Sequence, residues 1–268
     1  MVESIKPKAE FFMEICLQVV NNLGGVYTVL TSKSPEMKRY YGENFYAVGP
    51  YHEESASFEF EKEIPPDDIR DLIEQLEKEN IICHYGKWLI PGSPKTFLID
   101  FSNRLNTINR IKKDMKSKYN IDFSKIKFRK KDFIVGFSLK AFESELIWGD
   151  AVNIFMQKLL SLERFKKKTG VLHFHFSDPS GFLIADLKQK NANVGLVATS
   201  HSTRLGRAIA LNGEDIYKEM KTGLKKGKTV NKGREKIYGS ICNFKHYMEL
   251  IYAKYCDVFT SVSEVTAQ

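Results

Sequence analysis

Three short stretches of this chain combine residue types suited to a polar ligand rich in hydroxyls or phosphates. Residues 199–207 read Thr199-Ser200-His201-Ser202-Thr203-Arg204-Leu205-Gly206-Arg207, which sets one imidazole and two guanidinium groups among four hydroxyls. Hydroxyls both donate and accept, and guanidinium groups grip oxyanions through paired N–H donors. The same loop could instead cap a following helix, with Ser202 or Thr203 in the N-cap role. Residues 171–175 carry His173 and His175 two apart, so on a regular strand both rings face one side. An imidazole there could bond a ligand hydroxyl or position a reacting centre, or simply be a strand-end histidine satisfied by backbone. The third stretch, Asn21-Asn22-Leu23-Gly24-Gly25-Val26-Tyr27, has paired glycines at a strand-to-helix turn. Gly24 and Gly25 would let a phosphate approach the amides at a helix N-terminus, although a tight turn alone also recruits glycine.

The elements that must hold these stretches follow from the apolar pattern. Runs at 11–20, 45–49, 81–85, 96–101, 171–175, 195–199 and 258–262 have the length and the β-branched or aromatic content of buried strands. Between them, Ile69, Leu72, Ile73 and Leu76 recur at helical spacing within 67–79, and Leu146, Ile147, Ile154, Phe155, Leu159 and Leu160 give 145–168 an apolar face. Further helices are predicted over 104–118, 180–189 and 234–255. Strands joined by crossover helices form an α/β fold with a doubly wound, mostly parallel sheet, and ligands of such sheets sit beyond the carboxyl ends of the strands. That rule brings 21–26, 174–181 and 200–207 to a single edge.

Composition bounds the rest. With 268 residues, 43% hydrophobic and 28% charged, the chain supports a substantial core, and it is read as one domain over 1–268. The formal charge of +8 is concentrated in Lys-rich stretches at 125–131, 166–168 and 221–236, which read as solvated surface, the last as a Lys/Gly-rich insertion. No nucleic-acid partner is expected, because neither an aromatic stacking pattern nor a helix-turn-helix cue accompanies the charge. No stretch has the eighteen or so apolar residues of a membrane span, and the first eight residues lack a secretory pattern, so the expected location is the cytoplasm, away from membrane. Cys16, Cys83, Cys242 and Cys256 lack metal-ligand or disulfide spacing and read as reduced, mostly buried thiols.

At the three stretches the sequence resembles the glycogen synthase family of the animal and fungal kind. Five blocks carry the likeness in order: Asn21 with 23–29, then 42–51, then 85–90 with Gly92-Ser93-Pro94, then 199–207, then 257–267. The resemblance implies the N-terminal Rossmann-like domain of a GT-B glycosyltransferase, a retaining enzyme that extends an α-1,4-glucan from a nucleotide-activated glucose, usually UDP-glucose. It implies Asn22, Gly24, Gly25 and His201 on the donor side, His175 as the histidine near the transferred sugar, and Thr203 and Arg207 lining the acceptor side. It implies neither a metal nor another cofactor, and a catalytic contribution from electrostatic stabilisation of the departing diphosphate and from acceptor positioning.

The chain departs from the family pattern in three places. Asn22 stands where the family places Lys, and His175 is followed by Phe176-Ser177-Asp178 where the family has Glu-Trp. The nucleotide-binding C-terminal domain is expected to be absent. The expectation is therefore an N-terminal enzyme half, acting on a nucleotide sugar and an α-glucan with a C-terminal glycogen synthase half on another chain; the alternative is an inactive glucan-binding or regulatory remnant.

Overall fold

The computed structural model describes residues 7–123, 139–176, 181–190, 193–211, 213–218, 221 and 240–262. The insertion expected at 221–236 lies outside these apart from Lys221, as do Ser177 and Asp178 and the first residues of the helix expected from 234.

Eight strands form one sheet: β1 (Phe11–Ile15), β2 (Phe45–Pro50), β3 (Phe60–Lys62), β4 (Ile82–Trp88), β5 (Lys95–Asp100), β6 (Gly170–Phe176), β7 (Val194–Ser200) and β8 (Val258–Ser261), in the order β3-β4-β5-β2-β1-β6-β7-β8. From β5 to β8 all neighbours are parallel, whereas β4 runs antiparallel to both β3 and β5. Residues 89–94 are too few for a crossover, so β4 and β5 form a hairpin, with Gly92 at φ +90 in its turn. The remainder is the doubly wound α/β arrangement expected from the alternating pattern.

Strand alternation sorts the core onto two faces. Phe11, Met13 and Ile15 of β1 join Tyr46, Val48, Phe97, Leu172 and Phe174 beneath α3 (Asp67–Glu77), α5 (Leu139–Ser161) and α7 (Gly181–Gln189). The opposite face packs Ala47 and Leu98 against Leu30 of α1 (Gly25–Tyr41) and Ala56 of α2 (Glu53–Glu59). A third cluster joins Ile111 and Met115 of α4 (Ile108–Tyr119) to Phe142, Leu146 and Phe182. The carboxyl side of β7 leads into α8 (Arg204–Leu211), and α9 (Ser240–Tyr255) precedes β8.

Some boundaries differ from expectation for physical reasons. The first strand ends at Ile15, not at residue 20: Cys16 N–H makes a last bond to Val48 O, after which the chain turns and Val20 adopts φ +53. Residues 16–20 read as strand because burial, not pairing, keeps Cys16, Val19 and Val20 apolar. The helix expected over 145–168 starts earlier and breaks at Leu162, whose extended backbone separates α5 from the short α6 (Glu163–Lys166). Cys16 and Cys83 are buried and Cys256 half-buried, and none of the three is in a disulfide.

Close packing at the start of β6 gives a direct test of the register. Gly170 lies opposite Phe11, and a β-carbon there would come within 2.0 Å of the ring of Phe11, which is held edge-to-face on Phe165. Gly170→Ala should therefore lower the unfolding free energy by about 2 kcal/mol, the usual range for overpacking a filled core, read as a lower urea midpoint at unchanged m-value.

Candidate functional site

Parallel strands buried on both faces normally carry uninterrupted apolar side chains. Here the α1 face of the sheet departs from that rule in one row. Glu14 of β1 lies in register with His173 of β6, His175 with Thr199 of β7, and Thr199 with Thr260 of β8. Lys33 reaches down from α1 to complete the row, its ammonium paired with Glu14 Oε1 and 2.9 Å from His173 Nδ1. His173 Nε2 is 2.6 Å from Thr199 Oγ1, which is 2.6 Å from Thr260 Oγ1. The hydroxyl and imidazole groups are thus satisfied side to side across four strands, which is what permits burial of so many polar atoms.

A second branch leaves Glu14 through His175. Glu14 Oε2 is 2.8 Å from His175 Nε2, and His175 Nδ1 is 2.8 Å from Nε2 of His201, the two rings stacked with centroids 5.1 Å apart. His175 is 2% exposed, while His201 is half-buried at the strand's carboxyl end. Burial pushes the His175 imidazole down to about 4, against the opposing pull of Glu14. Burial also lowers His201, with His173 and Lys33 adding to the effect. Burial works against ionisation of Glu14, but Lys33 and His173 prevail and hold its carboxyl well below the usual range.

The carboxylate of Glu14 and the rings of His173 and His175 offer ligand atoms within 4.8 Å of one another, the donor set of a two-histidine, one-carboxylate metal site. The cation already enclosed there is the Lys33 ammonium, which contacts both Glu14 and His173.

Of the residues singled out from the sequence, His175 and His201 are in contact. Asn22, Gly24 and Gly25 are exposed at the start of α1, beyond the carboxyl end of β1, which neighbours β6 in the sheet. A β-carbon on Gly25 would meet nothing within 4 Å, and one on Gly24 only the Gln18 amide at 3.9 Å, so packing within the chain does not demand glycine at either position. Gln18 Oε1 accepts from Tyr27 N–H in the first turn of the helix. Thr203 caps α8, its hydroxyl accepting from Gly206 N–H at 3.0 Å, and Arg207 is exposed on the first turn of that helix. Among the described residues no hydrogen bond joins these five to the histidine pair. Glu14 and Lys33 were not foreseen; a lone carboxylate inside Phe11-Phe12-Met13-Glu14-Ile15 is the signal that marks the first, since an acid in a buried strand needs a partner.

A cavity of about 630 Å³ lies elsewhere, between α4, α5 and α7. Its acidic side chains are already matched internally: Asp150 by Arg104 and Arg110, Asp186 by Asn153 and Tyr119. Among the described residues no helix is long and apolar enough to cross a membrane.

Comparison with known proteins agrees with the five sequence blocks. The chain is similar to a glycogen [starch] synthase of Neurospora crassa, 28% identical over 261 residues that cover 97% of this chain and 34% of the relative. It is 30% identical to that of Dictyostelium discoideum over 94% of this chain and 26% of the relative, and 27% identical to the human liver glycogen [starch] synthase over 99% and 35%. The chain thus spans about a third or less of the length of these curated relatives. The profile of the glycogen synthase family matches residues 14–268, nearly the whole sequence including the polar row from Glu14 to Thr260, and the chain belongs to that family.

Proposed function

We propose that this chain is the N-terminal, Rossmann-like half of a GT-B glycosyltransferase of the glycogen synthase type, a cytoplasmic enzyme that transfers glucose from a nucleotide sugar, UDP-glucose, to an α-1,4-glucan. Its catalytic unit would be completed by a C-terminal glycogen synthase half acting as its partner and holding most of the nucleotide. The observation that carries this reading is the pairing of His175 with His201 at the carboxyl ends of β6 and β7, on the same sheet edge as a helix N-terminus left open at Gly24 and Gly25 after the neighbouring β1. An open N-terminus favours an anion, so the donor phosphates belong at α1. A neutral imidazole beside it suits a sugar hydroxyl. Arg207, exposed at the start of α8, and Thr203, whose hydroxyl accepts from Gly206 N–H and keeps its own hydrogen to donate, would line the acceptor side.

In such a site catalysis is electrostatic, through donors aimed at the diphosphate as it departs and through orientation of the acceptor hydroxyl. Asn22 offers an amide where a cation would do more, which makes this chain a slow version of its type. Asn22→Lys should raise the rate of glucose transfer about tenfold, one charge-assisted contact to a phosphate being worth about 1.4 kcal/mol in the transition state. The test is glucose transfer from UDP-glucose to glycogen by the chain combined with the C-terminal half of a relative. Transfer that rises with Asn22→Lys supports the proposal. Glycogen retention in native gels with no transfer by either form would instead favour a glucan-binding remnant, the reading to which the amide at 22 lends weight.

A further inference from the structure

The hydrogen bonds leaving Glu14 have only one consistent direction. An ionised carboxylate accepts and cannot donate, so Nε2 of His175, 2.8 Å from Glu14 Oε2, must carry that ring's hydrogen. Burial keeps the ring neutral, which leaves its Nδ1 bare. That bare nitrogen faces Nε2 of His201 at 2.8 Å, so His201 in turn must carry its hydrogen on Nε2. His201 is also kept neutral by its surroundings, and its Nδ1 is left as a lone-pair acceptor. The other branch runs from His173, whose Nδ1 lies 2.9 Å from the Lys33 ammonium and 3.2 Å from Glu14 Oε2 and whose Nε2 meets Thr199, through the Thr199 and Thr260 hydroxyls to the Ala198 carbonyl, which accepts from Thr260 at 3.5 Å. That branch ends on backbone. The His175 branch ends on a half-buried ring whose Nδ1 has no hydrogen-bond partner among the described residues.

We infer that Glu14, acting through the buried His175, fixes His201 as a neutral acceptor whose Nδ1 receives a sugar hydroxyl at the carboxyl edge of the sheet. The protonation pattern rests on the network and on the burial of its two rings; the identification of the ligand as a sugar rests on the proposed function. A phosphodiester oxygen carries no hydrogen and faces a bare Nδ1 lone pair to lone pair, so the same ring turns phosphate away. His201 thereby separates the glucose end of a nucleotide sugar from its diphosphate, and His175 and Glu14 are positioning residues that act through it.

Nitrogen-15 spectra of the histidine-labelled 268-residue chain at pH 7 read the tautomers directly. The expected result is hydrogen on Nε2 of both His175 and His201, with His201 becoming a mixture of tautomers in Glu14→Met, where no acceptor orders the chain of bonds. With the C-terminal half of a relative present, addition of UDP-glucose or maltoheptaose should shift His201 Nδ1, whereas dimethyl phosphate, a diester that carries no hydrogen at pH 7, should not. His201→Leu should weaken binding of the responding sugar about tenfold, the loss of one hydrogen bond, and leave UDP binding unchanged. Hydrogen on Nδ1 of His201 in the free protein overturns the network, whatever the ligand. The stated tautomer with an equal response to dimethyl phosphate overturns the sugar assignment. The stated tautomer with no response to UDP-glucose or to maltoheptaose, with the C-terminal half of a relative present, overturns the glycosyltransferase reading and the ligand with it.

Discussion

Glu14→Ala should lower the unfolding free energy by about 3 kcal/mol, more than any other single substitution in the polar row. The carboxylate is 3% exposed and serves the Lys33 ammonium through one oxygen and His175 Nε2 through the other. Its removal leaves a buried imidazole N–H with no acceptor, which alone is worth about 1–3 kcal/mol, and a lysine whose countercharge is gone. Breaking a buried ion pair from one side typically costs about 3–5 kcal/mol. The lower end applies because the Lys33 side chain is 25% exposed and can turn its ammonium to water. Glu14→Gln keeps shape and one acceptor oxygen and should cost about 1–2 kcal/mol. The pair also has a diagnostic coupling: Glu14→Leu should be partly rescued by Lys33→Met, because the second change removes the charge that the first left unmatched. Urea unfolding of the four variants measures all of this. A Glu14→Ala protein within 1 kcal/mol of the parent would show that the row is not a buried network.

The sequence reading and the structure agree where local pattern decides. Parallel strands announce themselves because burial on both faces demands apolar runs, and residues 171–175 and 195–199 appear as β6 and β7 with only end residues added. The rule that places ligands beyond strand carboxyl ends accounts for His175, at the end of β6, meeting His201 in the loop after β7. What the pattern could not supply is pairing across long separations. Glu14 and His175 are 161 positions apart, and nothing near either residue specifies the other. The same holds for direction: β4 has the apolar content of any core strand, and only the short link to β5 makes it antiparallel. Thr203 illustrates a third limit, since a hydroxyl before a helix reads as a cap or a ligand contact from the same sequence, and the structure shows the cap, its oxygen accepting from Gly206 N–H. Gly24 and Gly25 are the converse, glycines whose own surroundings do not require them.

The acid limb of the stability curve should carry the signature of His175. In the unfolded chain an imidazole takes up its proton near pH 6.5; in the fold, burial holds His175 down to about 4 despite the neighbouring carboxylate. Between those two values the unfolded chain binds a proton that the native state refuses, so acid draws the equilibrium toward unfolding. Stability therefore falls as the pH drops from 6.5 to 4, by about 3 kcal/mol in total at 1.36 kcal/mol for each pH unit, and is regained as pH rises. Glu14 acts in the same sense but lower on the scale. Its native carboxyl is held well below the usual range, so its contribution is present above about pH 4.5 and is lost as the pH falls toward the depressed native value. The interval above pH 4.5 thus isolates imidazoles. His52, His84 and His201 are lowered as well, each first by burial, but all are more accessible than His175 and bear a smaller part of the slope. His175→Gln retains a donor for Glu14 and removes the titration. Its unfolding free energy, measured from pH 4.5 to 7.5, should start lower than that of the parent and fall less steeply, the two curves converging toward acid. Curves that stay parallel across that interval would mean that His175 titrates alike in both states, and that the ring between Glu14 and His201 is not held neutral by burial.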